Sequence, residues 1–132
     1  MKIEKIDVEK IENFLNEMKI DKVKARCSEN MWSFRQGAAH VFIITAGGFV
    51  IFQSVVMTVP KQNLMYLYRN CLELNDNAAE TFGTSFGINS HNEIVIKSLY
   101  PLNEMSFSAF SYFLTSMAHV ADKYIKYFKE KL

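Results

Sequence analysis

The segment Ala38–Val59 contains no charged side chain, and it limits what this chain can fold into more than any other part of the sequence. Gly47-Gly48 divides it into two apolar runs. Both glycines can adopt positive φ without a steric penalty, so the pair predicts a tight turn between two antiparallel strands. We expect those strands at about Ala39–Thr45 and Phe49–Val59.

Neither run of this hairpin alternates between apolar and polar residues. In an extended strand, Val41 and Ile43 would lie on one face, and Phe42 and Ile44 would lie on the other. A sheet that is covered on one side only normally alternates between apolar and polar residues. The pattern therefore predicts that both faces of the hairpin are covered, one of them by a partner.

The composition is that of a folded domain with a small net charge and so no strong overall electrostatic field. The chain has 132 residues, of which 49% are hydrophobic and 22% charged, and its net charge is +1. We expect a single domain over residues 1–132, with no nucleic-acid binding and no membrane insertion. Cys27 and Cys71 are the only cysteines. Since the sequence has no recognisable export signal, we expect reduced thiols and a cytoplasmic location.

Before the hairpin, the sequence predicts one helix and one or two short strands. Asp7 is placed to cap the first helix, whose apolar stripe ends near Lys19. The mixed connection that follows has room for a short strand at Val23–Cys27. Met31–Arg35 then suits a strand that leads into the hairpin.

After the hairpin, a helix, two strands and a long helix are predicted. Pro60 fits the first turn of a helix that frays at Asn75. Phe82–Ile88 and Glu93–Tyr100 are typical of paired strands, and Ser106 is a good N-cap for the last helix. The predicted order is α-β-β-β-α-β-β-α, which indicates an α+β fold with an antiparallel sheet.

This order, together with several short motifs, resembles the YbjN-like family, whose fold is that of the class I type III secretion chaperones. The resemblance extends from about Met31 to Lys126. The residues that carry it are Trp32 with Gly37, Leu72-Glu73-Leu74-Asn75, Phe82-Gly83 through Phe86-Gly87, Glu93-Ile94-Val95-Ile96, Leu99 to Leu102, and Ala118 through Ala121-Asp122. The chain departs from those chaperones in charge, since they tend to be acidic and this one is near neutral.

The resemblance implies a small, non-enzymatic protein, often dimeric, that holds other polypeptides or regulates through contact. In the chaperone relatives, partner segments wrap around the dimer in extended form and bury apolar side chains in surface patches. These are expectations for fold and for the kind of partner.

The residues themselves do not form a recognisable catalytic or metal site. His40, His91 and His119 stand apart from one another, and none has a second histidine or a cysteine at metal-ligand spacing. His119 and Asp122 share a helix face but lack a third ligand. Cys27 and Cys71 are more typical of packing residues than of nucleophiles. We therefore expect no enzyme, no cofactor and no metal.

The first functional hypothesis is a homodimeric polypeptide-binding module that acts through apolar surfaces on the hairpin and the middle helix. The predicted partner-binding residues are Phe42, Ile44, Phe52 and Val56, which would share one face if the hairpin register is regular. The alternative is a regulatory domain that senses a small ligand in an apolar pocket between the sheet and the helices.

Overall fold

A six-stranded antiparallel sheet with helices on one side forms the architecture, as a computed structural model of residues 2–131 describes it. The helices are α1 (Lys5–Glu17), α2 (Lys22–Ala25), α3 (Leu64–Asn75), α4 (Ala78–Thr81) and α5 (Phe107–Lys131). The strands are β1 (Arg26–Ser28), β2 (Met31–Gln36), β3 (Ala39–Ala46), β4 (Phe49–Thr58), β5 (Ser85–Ile88) and β6 (Glu93–Pro101). Their order across the sheet is β1-β2-β3-β4-β6-β5. The predicted α+β fold is confirmed, with α2, β1 and α4 as short additions to the predicted order.

The Gly47-Gly48 turn joins β3 to β4 as predicted. The φ angles of the two glycines are 61° and 83°, in the left-handed region that lets a two-residue turn follow the twist of its strands. The turn sets the register, in which Ala46 lies opposite Phe49 and Ile43 lies opposite Phe52. This pairing decides which side chains of β3 and β4 share a face of the sheet.

The core lies between the sheet and α5. This long helix packs across β2, β3, β4 and β6, while α1 contacts α5 and α3 contacts β5. Residues along β3 alternate strictly between buried and half-buried positions, although the sequence there is apolar apart from His40 and Thr45. We call the helix-covered side of the sheet the inner face and the opposite side the open face.

At two places the N-terminal half differs from prediction in detail. Asp7 is not the N-cap of α1, because the helix begins at Lys5 and Asp7 lies inside its first turn, where a carboxylate still favours the helix dipole. The expected strand at Val23–Cys27 is a helical turn followed by β1. Asp21 caps that turn by accepting from the backbone N–H groups of Val23 and Lys24, which favours helix over strand.

In the C-terminal half, two element boundaries differ from the prediction and a third agrees with it. Pro60 does not begin α3, since Asn63 adopts a left-handed conformation (φ 62°) and the helix starts at Leu64. Phe82 does not belong to β5, because it takes φ 54° after α4 and the strand starts at Ser85. Ser106 is the predicted N-cap, since its hydroxyl accepts from the Ala109 N–H at 3.1 Å.

A contact between α5 and the β2–β3 turn fastens the long helix to the sheet. The Asp122 carboxylate accepts a hydrogen bond from the Ala38 N–H at 2.7 Å and pairs with Lys126 at 3.0 Å. The hydrogen bond from Ala38 is the main cause of the lowered pKa of Asp122, followed by the one from Lys126. Gly37 has φ 60°, and a Cβ there would lie 2.6 Å from Asp122 Oδ1. Only glycine therefore permits both the turn and the close approach.

We expect Gly37→Ala to destabilise the protein more than Gly48→Ala. Both alanines would adopt positive φ, at a cost of about 1 to 2 kcal/mol. At Gly48 the added Cβ meets nothing within 4 Å, whereas at Gly37 it would push against the Asp122 carboxylate. Urea unfolding of both variants measures the difference. Equal loss of stability would mean that the contact with Asp122 contributes nothing beyond the turn itself.

Candidate protein-interaction surfaces

The structure divides the four predicted partner-binding residues between the two faces of the sheet. Phe42 and Ile44 lie half-buried on the open face. Phe52 and Val56 lie in the core, where the Phe52 ring packs 5.5 Å from that of Phe110. The expectation that the four share one face is wrong, because β3 and β4 pair Ile43 with Phe52, so that Phe42 points to the opposite side.

The open face carries a mixture of apolar and polar side chains, of which most are half-buried and Val95 is buried. No described helix packs on this side of the central strands; the strand contacts of α5 are with the inner face, where the buried residues lie. The central residues of the open face are Met31, Ser33, Arg35, His40, Phe42, Ile44, Ile51, Gln53, Val55, Val95, Lys97 and Leu99.

One row of this face is entirely apolar and crosses four strands. Met31 lies opposite Ile44, Ile44 opposite Ile51, and Ile51 opposite Leu99. Leu99, at the end of the row, keeps 53% of its side-chain surface exposed. We call these four residues the apolar row. Met31, Ile44 and Ile51 are half-buried, so the row is a continuous, partly exposed apolar strip, and such strips are typical of interaction surfaces.

The charged groups among these open-face residues are cationic. Arg35 lies opposite His40, and Lys97 lies opposite Gln53. Over residues 2–131, neither Arg35 nor Lys97 forms an ion pair. Burial, and secondly the Arg35 charge, lowers the pKa of His40, so its imidazole is neutral at pH 7. Its ring lies 4.4 Å from that of Phe42, which joins it to the apolar surface.

A second apolar surface runs along α3. Leu64, Met65, Tyr68 and Leu72 lie at helical spacing on the outer side of the helix, and we call them the α3 stripe. Met65 is 82% exposed and Leu72 is 69% exposed. Ile88, on the neighbouring edge strand β5, is also exposed and extends the surface.

Between α3 and β5 lies an apolar cavity of about 300 Å³. Its lining includes Tyr68, Cys71, Leu72, Phe86 and Ile88. Burial raises the pKa of the Cys71 thiol to about 11, so the thiol is neutral at pH 7 and a poor nucleophile. The cavity therefore suits an apolar group rather than covalent chemistry.

Asn75, at the end of α3, closes the edge of the sheet. Its side chain accepts a hydrogen bond from the Phe86 N–H at 2.6 Å and donates one to the Phe86 carbonyl at 3.2 Å. The amide thus occupies both backbone groups that Phe86 turns away from β6, as a further strand would do. An edge blocked in this way is protected from unwanted strand pairing.

A comparison with family models matches residues 9–123 to the Tir chaperone protein (CesT) family. The chain is a member of that family. Motifs that carry the family resemblance meet in the structure: the Gly37 turn contacts Asp122, and Asn75 clamps Phe86. In this member of the Tir chaperone family, these motif residues stabilise the fold at the β2–β3 turn and at the β5 edge of the sheet. A search of curated protein sequences finds no significant match.

Solved structures of type III secretion proteins share the fold of this Tir chaperone family member. A chain of the heterodimeric ExoU–SpcU complex from Pseudomonas aeruginosa is 10% identical with a TM-score of 0.69, over 88% of this chain and 95% of that one. The Yersinia pestis secretion chaperone SycH, in complex with a fragment of YscM2, gives 13% and 0.65, over 89% and 98%. YbjN from E. coli gives 9% and 0.65, over 88% and 89%. The predicted resemblance to YbjN and to the secretion chaperones is confirmed.

The remaining candidate residues lie apart from one another. His91 is exposed in the β5–β6 turn, and the His119 ring meets the edge of Phe82 at 5.9 Å. Among residues 2–131, no three His, Cys, Asp or Glu side chains are grouped so that they could hold a metal ion. None of the described helices is both long enough and apolar enough to cross a membrane.

We expect the two thiols to differ sharply in their reaction with iodoacetamide near neutral pH. Cys27 is exposed and should react readily, whereas Cys71 is buried and its raised pKa keeps it protonated. In a Cys27→Ser variant, the remaining thiol should react only after unfolding in urea or at strongly alkaline pH. Mass spectrometry of the alkylated protein measures this, and rapid labelling of native Cys71 would contradict the burial.

Proposed function

We propose that residues 1–132 act as a single non-enzymatic, chaperone-like domain that binds other polypeptides as a homodimer through apolar surfaces. The observation that carries the proposal is that this member of the Tir chaperone family has two separate, partly exposed apolar surfaces, the apolar row and the α3 stripe. One surface would serve self-association and the other a partner. The exposed Cys27 thiol accords with a reducing compartment, and we propose the cytoplasm.

The α3 stripe is the surface that suits a second copy of the chain. A two-fold axis through Tyr68 would bring Leu64 of one copy against Leu72 of the other in antiparallel helices. Arg69 and Glu73, which pair along the same helix at 2.9 Å, border this stripe with charges of both signs. A surface that carries both an apolar stripe and charges of both signs is self-complementary, as a two-fold interface requires.

The size of the apolar surface accords with this role. Each large aliphatic side chain that becomes buried contributes about 1.5 to 3 kcal/mol, and a two-fold interface counts each residue twice. Burial of Met65, Leu72 and Ile88 in both copies would therefore offset a large part of the entropic cost of association.

We expect Leu72→Glu to convert a dimer into a monomer. The substitution would place two carboxylates at the interface and remove two buried leucines, raising the dissociation constant by about 100-fold or more. Ile6→Glu is the matched control, because Ile6 is 73% exposed on α1 and lies away from the stripe. Multi-angle light scattering on the wild type and both variants gives the answer. A wild-type monomer at tens of micromolar concentration would contradict the homodimer.

A second candidate function is a regulatory domain that senses a small apolar ligand. The observation that favours it is the cavity between α3 and β5, whose volume of about 300 Å³ lies at the lower end of the range for small-molecule sites. If this function is correct, native mass spectrometry should show an added mass that disappears under denaturing conditions. A native mass equal to that of the bare chain would count against it.

A further inference from the structure

We propose that the open face selects extended polypeptide segments in which apolar residues are flanked by carboxylates. This inference rests on the proposed polypeptide-binding function and adds to it the chemistry of the partner. Arg35 and Lys97, which form no ion pair over residues 2–131, stand on either side of the central strands β3 and β4. Between them lie apolar groups that include Phe42 and Val55.

The distance between Arg35 and Lys97 determines how far apart the two carboxylates of a partner segment must be. Arg35 on β2 and Lys97 on β6 are separated by three inter-strand steps and one pleat along the strands, which is roughly 16 Å. An extended chain covers that distance in about five residues. A segment that crosses the face can therefore place an acidic residue at each end and apolar residues over Phe42 and Val55, with the apolar row alongside, two residues beyond Lys97 on β6.

Charge complementarity also argues against a second copy on this face. Two open faces packed against each other would enclose the unpaired cations Arg35 and Lys97 of both copies in one interface, and enclosed like charges are repulsive. One carboxylate of this chain, that of Glu93 at the start of β6, lies on the same side as Lys97, where it accepts a hydrogen bond from Asn89 Nδ2 at 2.8 Å. It forms no ion pair with Arg35 or Lys97 over residues 2–131, so carboxylates of a partner would be their counter-charges.

The test uses three fluorescently labelled peptides of about ten residues, long enough to cross the face in extended form. Each has leucine and valine at alternate central positions, with two glutamates, two glutamines or two lysines on either side. Fluorescence anisotropy with the full chain should give the tightest binding for the glutamate peptide. We expect its affinity to exceed that of the glutamine peptide roughly tenfold and to lose most of this advantage at about 0.5 M NaCl.

Substitutions on the surface assign this selectivity to the open face. The double variant Arg35→Gln, Lys97→Gln should bind the glutamate and glutamine peptides equally. Lys5→Gln, Lys129→Gln makes the same change in net charge on exposed helical positions and should keep the selectivity. If the control loses selectivity to the same extent, the effect comes from net charge and the inference is overturned.

The remaining outcomes separate this inference from the function on which it rests. Equal binding of the glutamate and glutamine peptides by the wild type overturns charge selection and leaves polypeptide binding intact. Absence of binding by all three peptides overturns polypeptide binding by the open face as well. If Leu99→Glu dissociates a dimer that Leu72→Glu leaves intact, the occupant of the open face is a second copy and the inference is wrong.

Discussion

The register between β3 and β4 is the constraint on which the rest of the structure depends. With Ile43 opposite Phe52, one set of alternate residues meets α5 and the other set forms the open face. A slip of one residue would exchange these sets, bringing Phe42 into the core and leaving Phe52 outside. The buried hydroxyls hold this register too, since Thr45 donates to the Phe49 carbonyl at 3.0 Å and Ser54 donates to the His40 carbonyl at 2.9 Å.

Two side chains then fix one turn and one edge of the sheet to the helices. Asp122 holds the β2–β3 turn against α5, and Asn75 holds the edge strand β5 against α3. Asp122 accepts a hydrogen bond from the Ala38 N–H in the turn. Asn75 bonds to the backbone groups of Phe86 that a further strand would otherwise pair with. The residues of each contact are far apart in sequence, but both belong to motifs that carry the family resemblance. Replacing one residue of a contact would leave the other without its hydrogen-bond partner.

The sequence predicts those elements whose residue pattern has a single structural interpretation, and it fails where a pattern has more than one. The double glycine, the Ser106 cap and the long apolar stripe of the last helix have one physical interpretation each, and those elements lie where they were expected. The faces of the hairpin could not be assigned, because Gln53 and Ser54 are adjacent polar residues on opposite sides of β4. Short elements such as α2 and β1 have too few residues for a periodic pattern.

The candidate sites were harder to predict for the same reason. Apolar residues occupy both faces of β3, so Phe42 and Phe52 are indistinguishable by hydrophobicity, and only the pairing register separates them. Arg35 and Lys97 were the better signal, since a charged side chain in the middle of a strand nearly always points away from the core. Alternation from these two residues would have placed Ser33 and Leu99 on the open face.

The two apolar surfaces differ in charge, and that difference argues for different occupants. The α3 stripe borders Arg69 and Glu73, which carry charges of both signs and already pair with each other. The open face has Arg35 and Lys97 on either side of its central strands, and over residues 2–131 neither forms an ion pair. Charge is therefore balanced within the chain at α3, whereas under our proposal a partner supplies the counter-charges at the sheet. A dimer built through α3 would leave both open faces accessible, so self-association and partner binding can occur together without competing for one surface.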